Sequence, residues 1–145
     1  MSETGRAAVV ALAVLLAGTA AQAGSTEPDL AIAGASATVH DGVITLDVVA
    51  NYDSANALRL GYPIAVVVVQ DTRRAELFLD GRTTLSVNNG PAMPVTGARG
   101  VISIAPTHLA AVLPQGFAVP GNATVSLEAT FDGTTLHSNA VQVSW

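Results

Sequence analysis

The chain has 145 residues, with six basic against eleven acidic side chains and a formal charge of −5. It contains no lysine and no cysteine, which excludes Schiff-base chemistry, a phosphate-loop lysine, lysine–asparagine crosslinks, disulfides and acylation at a lipoprotein cysteine. The acidic balance excludes nucleic acid and an anionic membrane face as partners, because both are held by clustered cations.

Arg6 precedes an apolar run over residues 7–17, and the small-residue sequence Ala21-Gln22-Ala23 stands ahead of Gly24. That order predicts a secretory signal peptide over residues 1–23, cut after Ala23. The run falls short of the roughly 20 apolar residues that cross a bilayer as a helix, so no stable membrane insertion is expected. Residues 24–145 are then expected as a single domain in the periplasm, outside the cell or on its surface. Half of the residues are apolar, which suits a domain that must be stable through burial without covalent staples.

Beyond Ala23 the apolar residues recur with period two, the spacing of half-buried strands. Strands are predicted over residues 29–39, 43–50, 62–70, 75–80, 84–88, 100–105, 123–131 and 135–144. Ile44, Leu46 and Val48 alternate with Thr45 and Asp47, and Val125, Leu127, Ala129 and Phe131 alternate with Ser126, Glu128 and Thr130. Asp41-Gly42, Asp80-Gly81 and Asp132-Gly133 stand between strands, where glycine accepts the positive φ of a hairpin turn. Leu109, Val112 and Leu113 lie at helical spacing, so one short helical turn is expected over residues 107–113. The fold class is all-β, an antiparallel sandwich of seven or eight strands.

The last hairpin carries a resemblance. Leu127-Glu128-Ala129-Thr130-Phe131-Asp132-Gly133, followed by Ser138-Asn139-Ala140-Val141-Gln142-Val143, resembles the closing strands of bacterial immunoglobulin-like and fibronectin-III-like modules. The resemblance implies an immunoglobulin-like sandwich and a role in binding, spacing or adhesion on secreted and surface proteins. Gly24-Ser25-Thr26 lacks the N-terminal histidine of immunoglobulin-like periplasmic copper carriers.

Candidate chemistry is sparse. His40, His108 and His137 lie in three separate segments, no cysteine supports them, and no metal or other cofactor is expected. Asn51-Tyr52-Asp53-Ser54-Ala55-Asn56 gathers oxygen donors of the kind calcium uses, but Ala55 breaks their alternation, and a polar turn is the expected structure. Asp71, Glu76 and Glu128 are the carboxylates a glycosidase would pair, yet the aromatic platforms of a sugar cleft are scarce and Gly-x-Ser-x-Gly is absent. No enzyme activity is expected.

Two surfaces remain. In the loop predicted over residues 51–61, Tyr52, Asp53 and Arg59 combine an amphipathic ring with both signs of charge, a mixture common at recognition surfaces. The run Ile64-Ala65-Val66-Val67-Val68-Val69 shows no wet face, so either a loop over residues 89–100 covers it or Val67 and Val69 form an interface with another chain. The expected function is non-catalytic binding of another protein or a surface polymer. A self-assembling fibre or layer subunit is the alternative, with residues 24–35 as an extendable segment. An outer-membrane barrel ending on Val141, Val143 and Trp145 lacks the required aromatic girdles.

Overall fold

The computed structural model describes residues 29–96 and 100–145, with Phe131 described by its backbone alone. The expected signal peptide therefore lies outside the described residues. Among the described residues eleven strands and one helix follow in chain order: β1 (Ile32–His40), β2 (Val43–Ala50), α1 (Tyr52–Arg59), β3 (Ile64–Gln70), β4 (Arg73–Phe78), β5 (Thr83–Val87), β6 (Met93–Pro94), β7 (Val101–Ala105), β8 (His108–Val112), β9 (Asn122–Phe131), β10 (Thr134–His137) and β11 (Val141–Ser144).

The strands form two antiparallel sheets. The smaller runs β1-β2-β8-β7; the larger runs β10-β9-β3-β4-β5-β6, with β11 on the same edge of β9 as β10. Neither sheet closes on itself. Period-two alternation aims one face of each sheet at a shared core. Leu46, Val48, Leu109 and Ala111 from the smaller sheet join Val66, Val68, Leu77, Val125 and Leu127 from the larger, all at most 1% exposed. Burial of this kind is the main favourable term for a domain without disulfides.

The turns follow from backbone geometry. Asp41 and Gly42 carry φ of 51° and 77°, and Asp132 and Gly133 of 50° and 78°. Both pairs have the two positive φ values of the hairpin turn whose twist matches its flanking strands. Between β4 and β5, the Arg82 backbone N–H donates to Asp80 Oδ1 at 3.0 Å and its Nε to Oδ2 at 2.6 Å. Those hydrogen bonds, the backbone one foremost, hold the Asp80 carboxyl below its ordinary value of 3.8. A carboxyl lowered on folding adds stability above its unfolded pKa and loses it as pH falls through the folded one. Urea unfolding should therefore show Asp80→Asn less stable than the wild type at neutral pH, with the gap closing below pH 3.8.

Three expectations are corrected. Residues 107–113 hold strand β8 and no helical turn: Leu109 and Ala111 are buried while His108 faces out, and the segment completes the ladder between β2 and β7. The predicted loop over residues 51–61 is mostly helix α1. The single closing strand is broken at residues 138–140, where Ser138 Oγ accepts from Leu127 N at 2.7 Å in place of a ladder carbonyl.

Candidate functional site

α1 lies in the connection that carries the chain from the smaller sheet to the larger. Asn51 caps it: its backbone is extended, with φ −75° and ψ 176°, and its Oδ1 accepts from Ser54 N at 2.8 Å. Asp53 in the first turn and Arg59 in the last both complement the helix dipole. Gly61, with φ of 88°, follows the last turn and ends it.

The buried side of the helix is stitched to the chain ahead of β1. Ser54 is fully buried; its Oγ accepts from Ala31 N at 2.9 Å and donates to Ala31 O at 3.4 Å. Asn51 adds its backbone N–H to Ala31 O at 3.0 Å and its Nδ2 to Asp29 O at 3.2 Å. Ala55 and Ala57 are small enough to pack the helix close against the core. Because the Asn51 oxygen serves the helix cap, residues 51–56 are a helix start and not the polar turn expected. Asn51→Ala should cost about 1 kcal/mol, read as a lower urea midpoint.

The opposite side faces water. Tyr52 is 74% exposed and Leu60, the C-cap residue, 65%, while Asp53 and Arg59 are also exposed. Arg59 donates through Nη2 to Asn56 Oδ1, one turn back on the same side. Tyr52 and Arg59 stand seven residues apart, roughly 10 Å along the axis at 1.5 Å per residue. Tyr52, Asp53 and Arg59 therefore do come together, on a helix. Leu60 joins them at the C-cap; nothing in the local pattern Ala57-Leu58-Arg59-Leu60-Gly61-Tyr62 sets it apart from its apolar neighbours.

The pairing registers put α1 at the same end of the domain as the β4–β5 turn and the Asp132-Gly133 turn, since the start of β3 pairs with the ends of β4 and β9. A groove of about 920 Å³ opens beside the start of β2 and the end of β8, lined in part by Val43, Val95, Leu113, Gln115 and Phe117. Asp41 is the one ionisable side chain among its described lining residues.

No protein-family model and no curated protein matches this chain.

Val67 and Val69 lie on the outer face of the larger sheet, away from the core that holds Val66 and Val68. Val67 is nevertheless only 3% exposed, and Val69 36%. The cover comes from an ion network. Arg74 on β4 donates to Glu76 and, through Nη2, to Glu128 on β9 at 2.8 Å. β4 and β9 flank β3, roughly 10 Å apart, so a guanidinium that reaches both must cross β3. Residues 93–94 pair with β5 at the far edge, so this part of the expected covering loop lies three strands away from β3. His137 Nδ1 also lies 3.2 Å from Glu128 Oε2.

Burial by itself lowers the Arg74 pKa, but the hydrogen bonds and charges of Glu76 and Glu128 outweigh it and raise the pKa above the ordinary value. Glu76 and Glu128 thus converge on an arginine, while Asp71 sits apart in the β3–β4 turn with φ of 52°. The histidines stay dispersed: His40 lies beside Asp41 at 3.3 Å, and His108 beside Asp47 at 3.5 Å. Among the described residues no three His, Asp or Glu side chains form a group suited to a metal ion, and no helix is long and apolar enough to cross a membrane.

Proposed function

We propose that the chain is an exported, immunoglobulin-like module that binds another protein or a surface polymer without catalysing a reaction, and that α1 is its contact surface. The strand order supports the immunoglobulin reading. A β1-β2-β8-β7 sheet against a β10/β11-β9-β3-β4-β5 sheet follows the A-B-E-D and G-F-C-C′-C″ orders of variable-type domains. In that scheme α1 replaces the B–C loop, one of the connections that recognise ligands in variable domains.

The single observation that carries the contact surface is the exposure of Tyr52 and Leu60 together, flanked by Asp53 and Arg59, on a helix whose other side is locked to the core. A large ring and an arginine on a rigid support lose little conformational entropy when a partner closes over them.

The test is partner capture from the native envelope, followed by titration of the captured partner against variants. Tyr52→Ala with Arg59→Ala should weaken binding at least tenfold, about 1.4 kcal/mol, while the melting temperature stays nearly unchanged because both side chains are exposed. Val69→Thr, on the outer face of the larger sheet, should bind as the wild type does. The reverse pattern would move the contact surface from α1 to the sheet.

A further inference from the structure

Sheets that end in open strands need protection, because an unpaired ladder of N–H and C=O groups is a template for another strand. Among the described strands the outer edges carry such protection to different degrees. On β1, the Asn139 side-chain amide takes both ladder groups of Ile32, accepting from its N–H at 2.8 Å and donating to its C=O at 3.1 Å. β6 is two residues long and ends on Pro94, which has no N–H to offer. The β10/β11 edge is interrupted at residues 138–140, where Ser138 turns its hydroxyl onto β9.

β7 carries the least, a single bulge at Ile104. It has five residues, none charged and none proline, and no described strand pairs with its outer side. Ile102 is 51% exposed and Ile104 69%. Its register with β8 shifts between Ser103 and Ala105, leaving Ile104 as the extra residue of a bulge, where Ser103 Oγ donates to Ala105 O at 3.3 Å.

We propose that β7 is a self-pairing edge through which two copies of this chain join, antiparallel, to run the two four-stranded sheets into one of eight strands. The free ladder requires a strand as its occupant, and the sequence selects a second β7. Val101-Ile102-Ser103-Ile104-Ala105 reads nearly the same in both directions. Turned end for end, it sets Ile102 opposite Ile104 and Ser103 opposite Ser103, with β-branched pairs facing each other and no like charges opposed. The valine-rich β3 is unsuited to this role because it is paired on both sides, by β9 and β4. This pairing is independent of the α1 surface, which lies on another part of the domain.

The pairing has a distinctive salt dependence. Each copy carries a formal charge of −5, so the two repel at long range while the contact itself is uncharged. Added salt screens the repulsion and should strengthen the dimer, whereas a contact made of ion pairs would weaken.

Sedimentation velocity on the purified protein, its N terminus read by intact mass, tests the proposal over a concentration series at low and high salt. The wild type should shift from monomer to dimer with concentration, and more readily at high salt. Ile102→Lys with Ile104→Lys should raise the dissociation constant at least tenfold, and Val43→Lys, 47% exposed on the outer face of the same sheet but away from its edge, should leave it unchanged. A wild type that stays monomeric, a lysine pair that dimerises normally, or a Val43→Lys variant that abolishes the dimer would each overturn it. Should the lysine pair fail to fold, hydrogen exchange on the wild type decides: protection of the β7 amides must rise with protein concentration, and constant protection refutes the pairing. Partner capture through α1 by the lysine variants separates failure of this edge from failure of the binding surface.

Discussion

Leu127→Ala is expected to lower the stability of the domain by about 2–5 kcal/mol, the range for deleting most of a fully enclosed aliphatic side chain. Leu127 has no exposed surface. Its strand β9 is held between β3 on one side and β10 and β11 on the other, so the backbone on either side of the site is pinned and cannot collapse far into the space left behind. The loss combines the transfer of the removed atoms with the residual cavity, and it is read from urea unfolding at constant slope. Leu127→Met, close in volume, should cost less than about 1.5 kcal/mol. Equal losses for both variants would mean that shape and not filled volume governs this part of the core.

Ser54→Ala is the second large effect, expected at about 1–3 kcal/mol. The hydroxyl serves both backbone groups of Ala31, and alanine leaves the Ala31 N–H without that partner while Ala31 O keeps its bond from Asn51 N. The consequence extends to function. Ser54 ties α1 to the segment ahead of β1, so its loss should raise hydrogen exchange in Tyr52–Arg59 before the sheets are affected and weaken partner capture without altering any exposed residue. Stability loss confined to the sheets, with α1 protection unchanged, would refute that coupling.

The sheets were largely legible from the sequence, and the reason is visible in β9. Its apolar residues alternate with Ser126, Glu128 and Thr130, and only one arrangement buries the first set while wetting the second. β8 misled because Leu109, Val112 and Leu113 satisfy helical spacing while Leu109, Ala111 and Leu113 satisfy strand spacing. Two neighbouring strands waiting for ladder partners decide between them, and such neighbours are a tertiary fact. α1 carried its own local signals, Asn51 as cap, Asp53 and Arg59 at opposite ends, Gly61 beyond, but the run of oxygen-bearing side chains read equally well as a turn.

The hidden part of the candidate surfaces is the cover over Val67. A strand without a wet face implies either a lid or a partner, and the lid here is the ion network of Arg74, Glu76 and Glu128. Arg74 meets Glu128 across 54 positions of sequence, a pairing that no local pattern announces. Tyr52, Asp53 and Arg59, by contrast, lie within two helical turns of each other, so their proximity was legible even though the element that carries them was not.

A photo-crosslinking amino acid placed in turn at positions 52, 60 and 69, in the protein expressed in its native cells, examines the proposed binding surface most directly. Positions 52 and 60 should yield the same discrete adduct and position 69 should yield none. An adduct from position 69 alone, or equal labelling from all three, would contradict a contact surface on α1.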